Sequence, residues 1–449
     1  MNISTYSEGS QLGDFAAFVA LDWGGKKHAW SMQITENGKT IRSRGDLVNS
    51  PEAVEQWAAD LARRFGGRPI ALAIEQVRGA VIAMLSKYAH IVVFPIHPQT
   101  LCSYRKGLRP CGPKSDPSDA DLLLEFLLRH FDQVRPLRPD TVETRTLRIL
   151  VEERRKFVDD HTAHTNRLTG WLKQIFPQIL GWFDDPGSPL VAKLLGRWPT
   201  LEALQKAKPE TLRSFFQKNN SRSQARIEER IEQIGKAVPA THDQALIYAG
   251  GRVIENLLKG IARLRQTIAE LDQAIETRFK QHPDFFIVNS FPGAGPVMAP
   301  RLIAALGTDR ERFGSASELQ CCTGIAPIVV SSGNQHITQW RWSCSQFLRQ
   351  TIHEWAQHSM GKSEWAKAYY DRQRSNNKSH QAAVRALAFK WLRILYRCWK
   401  DRKPYDAALY ESRLRSTASQ HPIPSKAPEA VKIQWKKQSG FSKLTAVSS

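Results

Sequence analysis

At 449 residues the chain is long enough for about three domains, and 41% hydrophobic content excludes wholesale disorder. Lys and Arg number 64 against 43 Asp and Glu, a formal net charge of +21, so a polyanionic partner is expected. No apolar run approaches the ~20 residues that span a bilayer, and the polar N-terminus lacks a signal-peptide pattern. Nucleic acid is therefore favoured over a membrane surface, and a cytoplasmic location is expected. The six cysteines show neither a CxxC pair nor zinc-ligand spacing and read as reduced thiols.

In chain order, residues 15–21 (FAAFVAL) read as a buried strand ending at Asp22. Strands over 31–35 and 39–47 follow, joined by the hairpin turn Asn37-Gly38. Ser50 caps a helix begun by Pro51, with Val54, Trp57, Ala58 and Leu61 on one face. A strand over 69–74 delivers Glu75, a helix runs over 79–88, and a fifth strand covers 91–96. After a basic loop, residues 116–130 form an amphipathic helix. Three strands, helix, strand, helix, strand and a final helix is the element order of the ribonuclease H fold.

The middle is helical. Ile254, Leu257, Ile261, Leu264, Ile268, Leu271 and Ile275 alternate by three and four as in a coiled coil. A helix over 141–176 carries a rougher seam interrupted by Arg154, His161 and His164. The two helices pair either within one chain or between protomers. A third region, rich in helix formers and aromatics, opens on Phe285-Phe286-Ile287-Val288. It continues through the turn Phe291-Pro292-Gly293-Ala294-Gly295-Pro296, which reads as a helix-hairpin-helix or a plain interhelical turn. In the first case Gly293 and Gly295 let backbone N–H groups approach a phosphate. From Asp401 onward the composition predicts a disordered basic tail.

Four acids stand out in the first region. Asp22 and Glu75 end strands, where open sheets place their sites. Asp116 and Asp119 lie three apart at a helix start, on one face. Converging carboxylates repel unless cations bind, so two Mg²⁺ or Mn²⁺ ions are expected, suited to in-line phosphoryl transfer. Each acid also has an ordinary reading: a cap, a helix-dipole partner or an edge ion pair. Asp121 reads as solvent-facing.

Asp22, Glu75 with Gly79, and above all Lys114-Ser115-Asp116-Pro117-Ser118-Asp119-Ala120 resemble the DEDD transposases of bacterial insertion sequences. This is the insertion-sequence-110 family, which includes Piv-type invertases and whose first domain is similar to the Holliday-junction resolvase RuvC. Two departures are Ser115, where threonine is common, and the loop Trp23-Gly24-Gly25-Lys26-Lys27 after Asp22. A second block, Thr323-Gly324-Ile325-Ala326-Pro327 followed by Ser331-Ser332-Gly333, resembles that family's G-L-A-P-x-x-x-x-S-G. Read alone, Ser-Ser-Gly is an ordinary turn. The resemblance implies that Ser332 is a nucleophile joined covalently to DNA, activated near the metal site. Lys114, Arg341 and Arg349 are candidate nucleic-acid contacts. Trp340 and Trp342 either stack on unpaired bases or pack in a core.

The resemblance implies an α/β plus α protein in four parts: a RuvC-like catalytic domain (1–137), a helical coiled-coil region (138–282), a mainly helical transposase domain with a helix-hairpin-helix (283–400), and the tail (401–449). It also implies a dimer or tetramer, expected to be joined through the coiled coil, acting on DNA under guidance by a structured noncoding RNA. Two rivals are a resolvase-like nuclease using water in place of Ser332, and a non-catalytic nucleic-acid-binding protein.

Overall fold

The computed structural model describes residues 11–75, 79–108, 116–219, 223–332 and 335–412, with the backbone alone at Asp116, Pro117, Ser332, Gln335 and His336. Lys114 and Cys111 lie outside the described residues. The chain divides into two units, one through Asp140 and one from Thr141 onward.

The first unit runs β1 (Ala17–Asp22), β2 (Lys27–Glu36), β3 (Lys39–Val48), α1 (Pro51–Phe65), β4 (Ile70–Ile74), α2 (Ala80–Leu85), β5 (Ile91–Pro95), α3 (Pro98–Leu108) and α4 (Asp116–Arg129). The strands form one mixed sheet in the order β3-β2-β1-β4-β5. β2 pairs antiparallel with both β1 and β3, whereas β4 and β5 run parallel to β1. Asn37 and Gly38 take φ of 51° and 74°, the paired left-handed turn that matches the twist of a two-residue hairpin. α1 starts where Ser50 Oγ accepts from Ala53 N at 3.2 Å, with Pro51 at its first position.

Because side chains alternate along a strand, the two central strands divide their apolar residues between two faces. Val19, Leu21, Leu72 and Ile74 pack toward α1 and α2. Ala20, Ala71 and Ala73 lie with Leu123, Leu124 and Leu127 of α4. Alanines on this second face let the helix sit close to the sheet. Residues 98–108 form α3, where the sequence suggested a loop. Leu101 is its buried residue, supported by the partly buried Tyr104, which is too sparse a stripe to read from periodicity.

The second unit is mostly helical. Two long helices, α5 (Val142–Ile175) and α11 (Gln244–Lys280), flank the shorter α6 (Gln178–Trp182), α7 (Pro189–Arg197), α8 (Leu201–Gln205), α9 (Pro209–Lys218) and α10 (Gln224–Lys236). Then come α12 (Phe285–Asn289), α13 (Gly295–Leu306), α14 (Ala316–Cys322), the hairpin β6 (Ile328–Ser332) and β7 (Gln335–Gln339), α15 (Gln346–Ser359), α16 (Glu364–Ser375) and α17 (His380–Lys400). None of the described helices is long and apolar enough to cross a membrane.

α5 and α11 pair with each other, antiparallel and within one chain. Leu147 and Val151 share a core with Ile275 and Phe279, while Leu168 and Leu172 share another with Ile254, Leu257 and Ile261. Between these two cores Leu264, Ile268 and Leu271 of the heptad are only half-buried. The polar seam residues meet partners there: Arg154 Nε lies 2.5 Å from Asp272 Oδ1, and Arg265 Nε donates to His161 Nε2 at 3.3 Å. Burial, and then the Arg265 charge, lower the His161 pKa, keeping the ring an acceptor. Gly260 admits the His164 ring, and Gly250 admits Trp171 and Ile175; a Cβ at either glycine would sit 3.1 Å from those side chains.

The remaining helices surround a tryptophan-rich core. Trp355, Trp391 and Trp399 are fully buried, and their indole nitrogens donate to Pro292 O, Ser359 Oγ and Gly307 O. The start of the expected tail is anchored to this core: Tyr405 stacks on Phe291 at 5.2 Å and accepts from Trp365 Nε1 at 2.8 Å. Residues from 413 onward lie outside the described part.

Candidate active site

In the first unit, the parallel register of β1 and β4 ends at Leu21 opposite Ile74. Asp22 and Glu75 are the next residues of adjacent strands, both half-buried at the carboxyl edge. Continuing the alternation of Phe18 and Ala20, and of Ala71 and Ala73, puts both on the face covered by α4. α4 runs antiparallel to β1. Phe131, just past its C-terminus, packs on Phe15 and Phe18 at 5.6 and 6.0 Å. Asp121, two residues past Asp119, accepts from Ser31, which pairs with Ala20 across the sheet. The first turn of α4, with Asp116 and Asp119, therefore lies over the end of β1 that carries Asp22.

Asp119 is 4% exposed. Its Oδ1 lies 2.6 Å from Arg105 Nη2 of α3, an ion pair whose angle falls short of a hydrogen bond. Arg105 thus neutralises this buried carboxylate, whose oxygens are also of the kind a hard cation takes. Among the described residues no three His, Cys, Asp or Glu side chains stand close enough together to hold a metal. The Asp116 carboxylate lies outside that description. The oxygen donors of Asp22, Glu75 and Asp119 are of the type Mg²⁺ or Mn²⁺ takes, so the residues present fit such an ion.

Two neighbours escape a reading of sequence. Asp121, expected to face solvent, accepts from Ser31 Oγ and from Arg44 Nε, both at 2.8 Å, and so ties α4 to β2 and β3. His28 is wholly buried at the start of β2, and its Nδ1 accepts from Gly24 N at 3.2 Å. That bond orders the loop directly after Asp22. Burial lowers the pKa of His28, against a smaller opposing interaction with Asn49, so the ring that shapes this loop is neutral. A lone histidine after a Gly-Gly-Lys-Lys run gives no signal of this role.

In the second unit, Ser332 is the last residue of β6 and pairs with Gln335 across the hairpin. The root of the hairpin is held firmly. Arg385 Nε donates to Ile325 O at 2.9 Å, and Arg341 Nε donates to Ala326 O at 3.3 Å. Gly324 takes φ of 68°, and a Cβ there would overlap Cys344 Sγ. The segment 323–327 is thus a fixed platform beneath an exposed ribbon, on which Val329 and Val330 are 60% and 43% exposed. Arg349 Nη1 donates to Arg341 O at 3.3 Å, so both arginines brace the backbone. Gly293 takes φ of 73°, and its missing Cβ makes room for the α15 backbone at Ser359. Gly295 takes φ of 54° at the start of α13, with open space where a Cβ would stand.

Two family models match, together covering more than half of the chain: a transposase family of the IS110 DEDD type over residues 19–177, and the transposase IS116/IS110/IS902 family over residues 287–371. The chain belongs to the IS110 family of insertion-sequence transposases. These enzymes act on DNA, and the two matched segments contain all four acids and Ser332. The similarity extends over nearly the whole length of relatives. A mini-circle protein assigned as the transposase of IS117 in Streptomyces coelicolor is 27% identical over 87% of this chain and 95% of its own. The 42 kDa protein of insertion element IS900 from Mycobacterium paratuberculosis is 26% identical over 86% and 96%. The 43.6 kDa protein of IS110 from Streptomyces coelicolor is 25% identical over 89% and 97%.

Proposed function

We propose that this IS110-family transposase is a metal-dependent recombinase that cleaves and rejoins DNA strands of a bacterial insertion sequence through a covalent serine intermediate. The observation that carries the reading is the first unit's acidic edge, where Asp22 and Glu75 end adjacent parallel strands beneath the α4 turn bearing Asp116 and the buried Asp119. The sheet order β3-β2-β1-β4-β5, with helices on both faces, supports a ribonuclease H or RuvC-like domain. Asp22, Glu75, Asp116 and Asp119 would hold two divalent cations, Mg²⁺ or Mn²⁺. Bound there, such ions supply charge neutralisation and polarisation of phosphoryl oxygens.

The chain's own part is to fix those carboxylates on rigid strand and helix ends and to present Ser332. The serine oxygen displaces one ester oxygen of a DNA phosphodiester, and the freed hydroxyl end of another strand later reverses the step. An exposed hairpin on a braced platform suits a nucleophile that must reach into a duplex. Gly295, at the open start of α13, marks the turn that contacts the DNA backbone, with Lys114, Arg341 and Arg349 as further contacts, while Gly293 serves the packing of α15. The chain works in the cytoplasm as a dimer or tetramer, with a structured noncoding RNA pairing to target and donor.

Trapping of a protein–DNA adduct tests this. Wild type, Ser332→Ala and Asp22→Asn are incubated with the gene's flanking DNA and Mg²⁺. An adduct is expected in wild type and in neither variant. Strand cleavage by Ser332→Ala at the wild-type rate, with no adduct in either, would establish a resolvase-like reaction with water as the attacker.

A further inference from the structure

Where β7 ends, Trp340 and Trp342 border an open hollow of about 410 Å³ against α15, lined also by Gln346, Arg349, Gln350 and His353, with Gln381 of α17 at its edge. The two indoles are held differently. Trp340 is fixed: it stacks on His353 at 24°, and Arg385 covers it at 4.1 Å. Trp342 is 74% exposed, with the Arg349 guanidinium 5.5 Å from its ring. Core packing explains the first tryptophan and leaves the second without a structural role.

The lining is chemically selective. Gln346 and Gln381 bring amide donors and acceptors, as the edge of a nucleobase requires, while Gln350 Nε2 is held by Glu354 at 2.7 Å. His353 Nε2 is buried with no hydrogen-bond partner among the described residues. Arg349 in the lining and Arg385 over Trp340 supply positive charge, and among the described residues no carboxylate lines the hollow. A flat, polar-edged, anion-linked ligand matches these features, whereas an apolar side chain would leave the amides unused.

We propose that this hollow holds one unstacked base of a single-stranded nucleic acid, with Trp342 as its stacking surface and the glutamines at its edge. The inference rests on the reading of the chain as an enzyme of nucleic acid and adds a base-holding site to it. Its position gives it a purpose. Trp340 follows Gln339, which pairs with Ile328 at the root of the hairpin, while Ser332 ends β6 four residues on, about 13 Å away. A base held at the root fixes the strand relative to the tip.

Binding of fluorescent 12-mers to the full-length protein tests the proposal. The probes are oligo-dT, oligo-U, an oligonucleotide of the same length with every base removed, and a blunt duplex. Exposed Trp342 is changed to Ala and to Phe. Trp342→Ala is expected to bind oligo-dT or oligo-U about 5- to 100-fold more weakly, with Trp342→Phe within a few-fold of wild type. Wild type prefers the base-bearing strand over the abasic one, and Trp342→Ala loses that preference while binding the duplex as before. Oligo-dU, which shares its base with oligo-U, isolates the sugar, and whichever of those two binds more tightly identifies the strand as DNA or RNA. Equal affinity of wild type and Trp342→Ala for both single strands, or an equal loss on duplex, overturns the proposal. Trp342-dependent binding without a Ser332 adduct would remove the nucleophile and leave the base site, and the converse result would do the reverse.

Discussion

At Gly293 a Cβ would stand 2.6 Å from the Ser359 amide nitrogen, on a backbone with φ of 73°. Strain and overlap then act together, so Gly293→Ala is expected to destabilise the chain by about 2–4 kcal/mol, read from urea unfolding. A loss below ~1 kcal/mol would mean that α15 yields easily. His353 offers a test by pH. Burial, with the nearby charges of Arg385 and Arg349, brings its pKa down from 6.5 to about 4. Between those values the unfolded chain binds more protons than the folded one, so stability rises with pH across the window. The contribution is complete above about pH 6.5 and is lost as pH falls toward 4, at most about 3 kcal/mol. His353→Gln should flatten that part of the stability profile; an unchanged slope would assign it to other groups.

Between elements, the buried Arg301 of α13 joins α15 and α5. Its Nε donates to Thr351 Oγ1 at 2.9 Å and its Nη1 to Glu354 Oε2 at 2.7 Å, while Arg155 Nη1 donates to Glu354 Oε1 at 3.1 Å. Burial raises the Glu354 pKa, but its bonds and attraction to Arg301 outweigh this and hold it below the usual carboxylate range. Glu354→Gln leaves a buried guanidinium poorly compensated and should cost about 3–5 kcal/mol in unfolding free energy. Breaking the exposed Lys236–Glu232 pair, screened by water, should cost far less. Similar losses for the two would refute this ranking. Most helices and strands of the first unit were legible because their apolar periods match their burial. α3 was not, since a single buried leucine makes no period. Neither was the β6–β7 hairpin, whose Val329, Val330 and Ile337 are exposed and whose serines suggested only a turn. The four acids were visible through strand ends and i,i+3 spacing. Arg105 and His28, which act on them through space, carry no such pattern.

For the whole molecule, each unit has hydrophobic cores of its own. Heating the full chain in a calorimeter should therefore give two transitions, and residues 141–412 alone should reproduce one of them. A single transition of the full chain would refute that independence. The charge of +21 predicts duplex affinity that falls steeply with ionic strength.

Within the second unit, the antiparallel pair α5 and α11 carries one core toward each end. Val151 and Leu168 belong to different cores and lie 17 residues apart on one helix, about 25 Å. The half-buried stretch between them is thus a ruler. Seven residues added to both helices would keep every seam contact in phase and move the cores ~10.5 Å farther apart, while seven added to one helix alone would throw the register out. A chain built this way can therefore change the distance between its two cores by whole turns without redesigning either end.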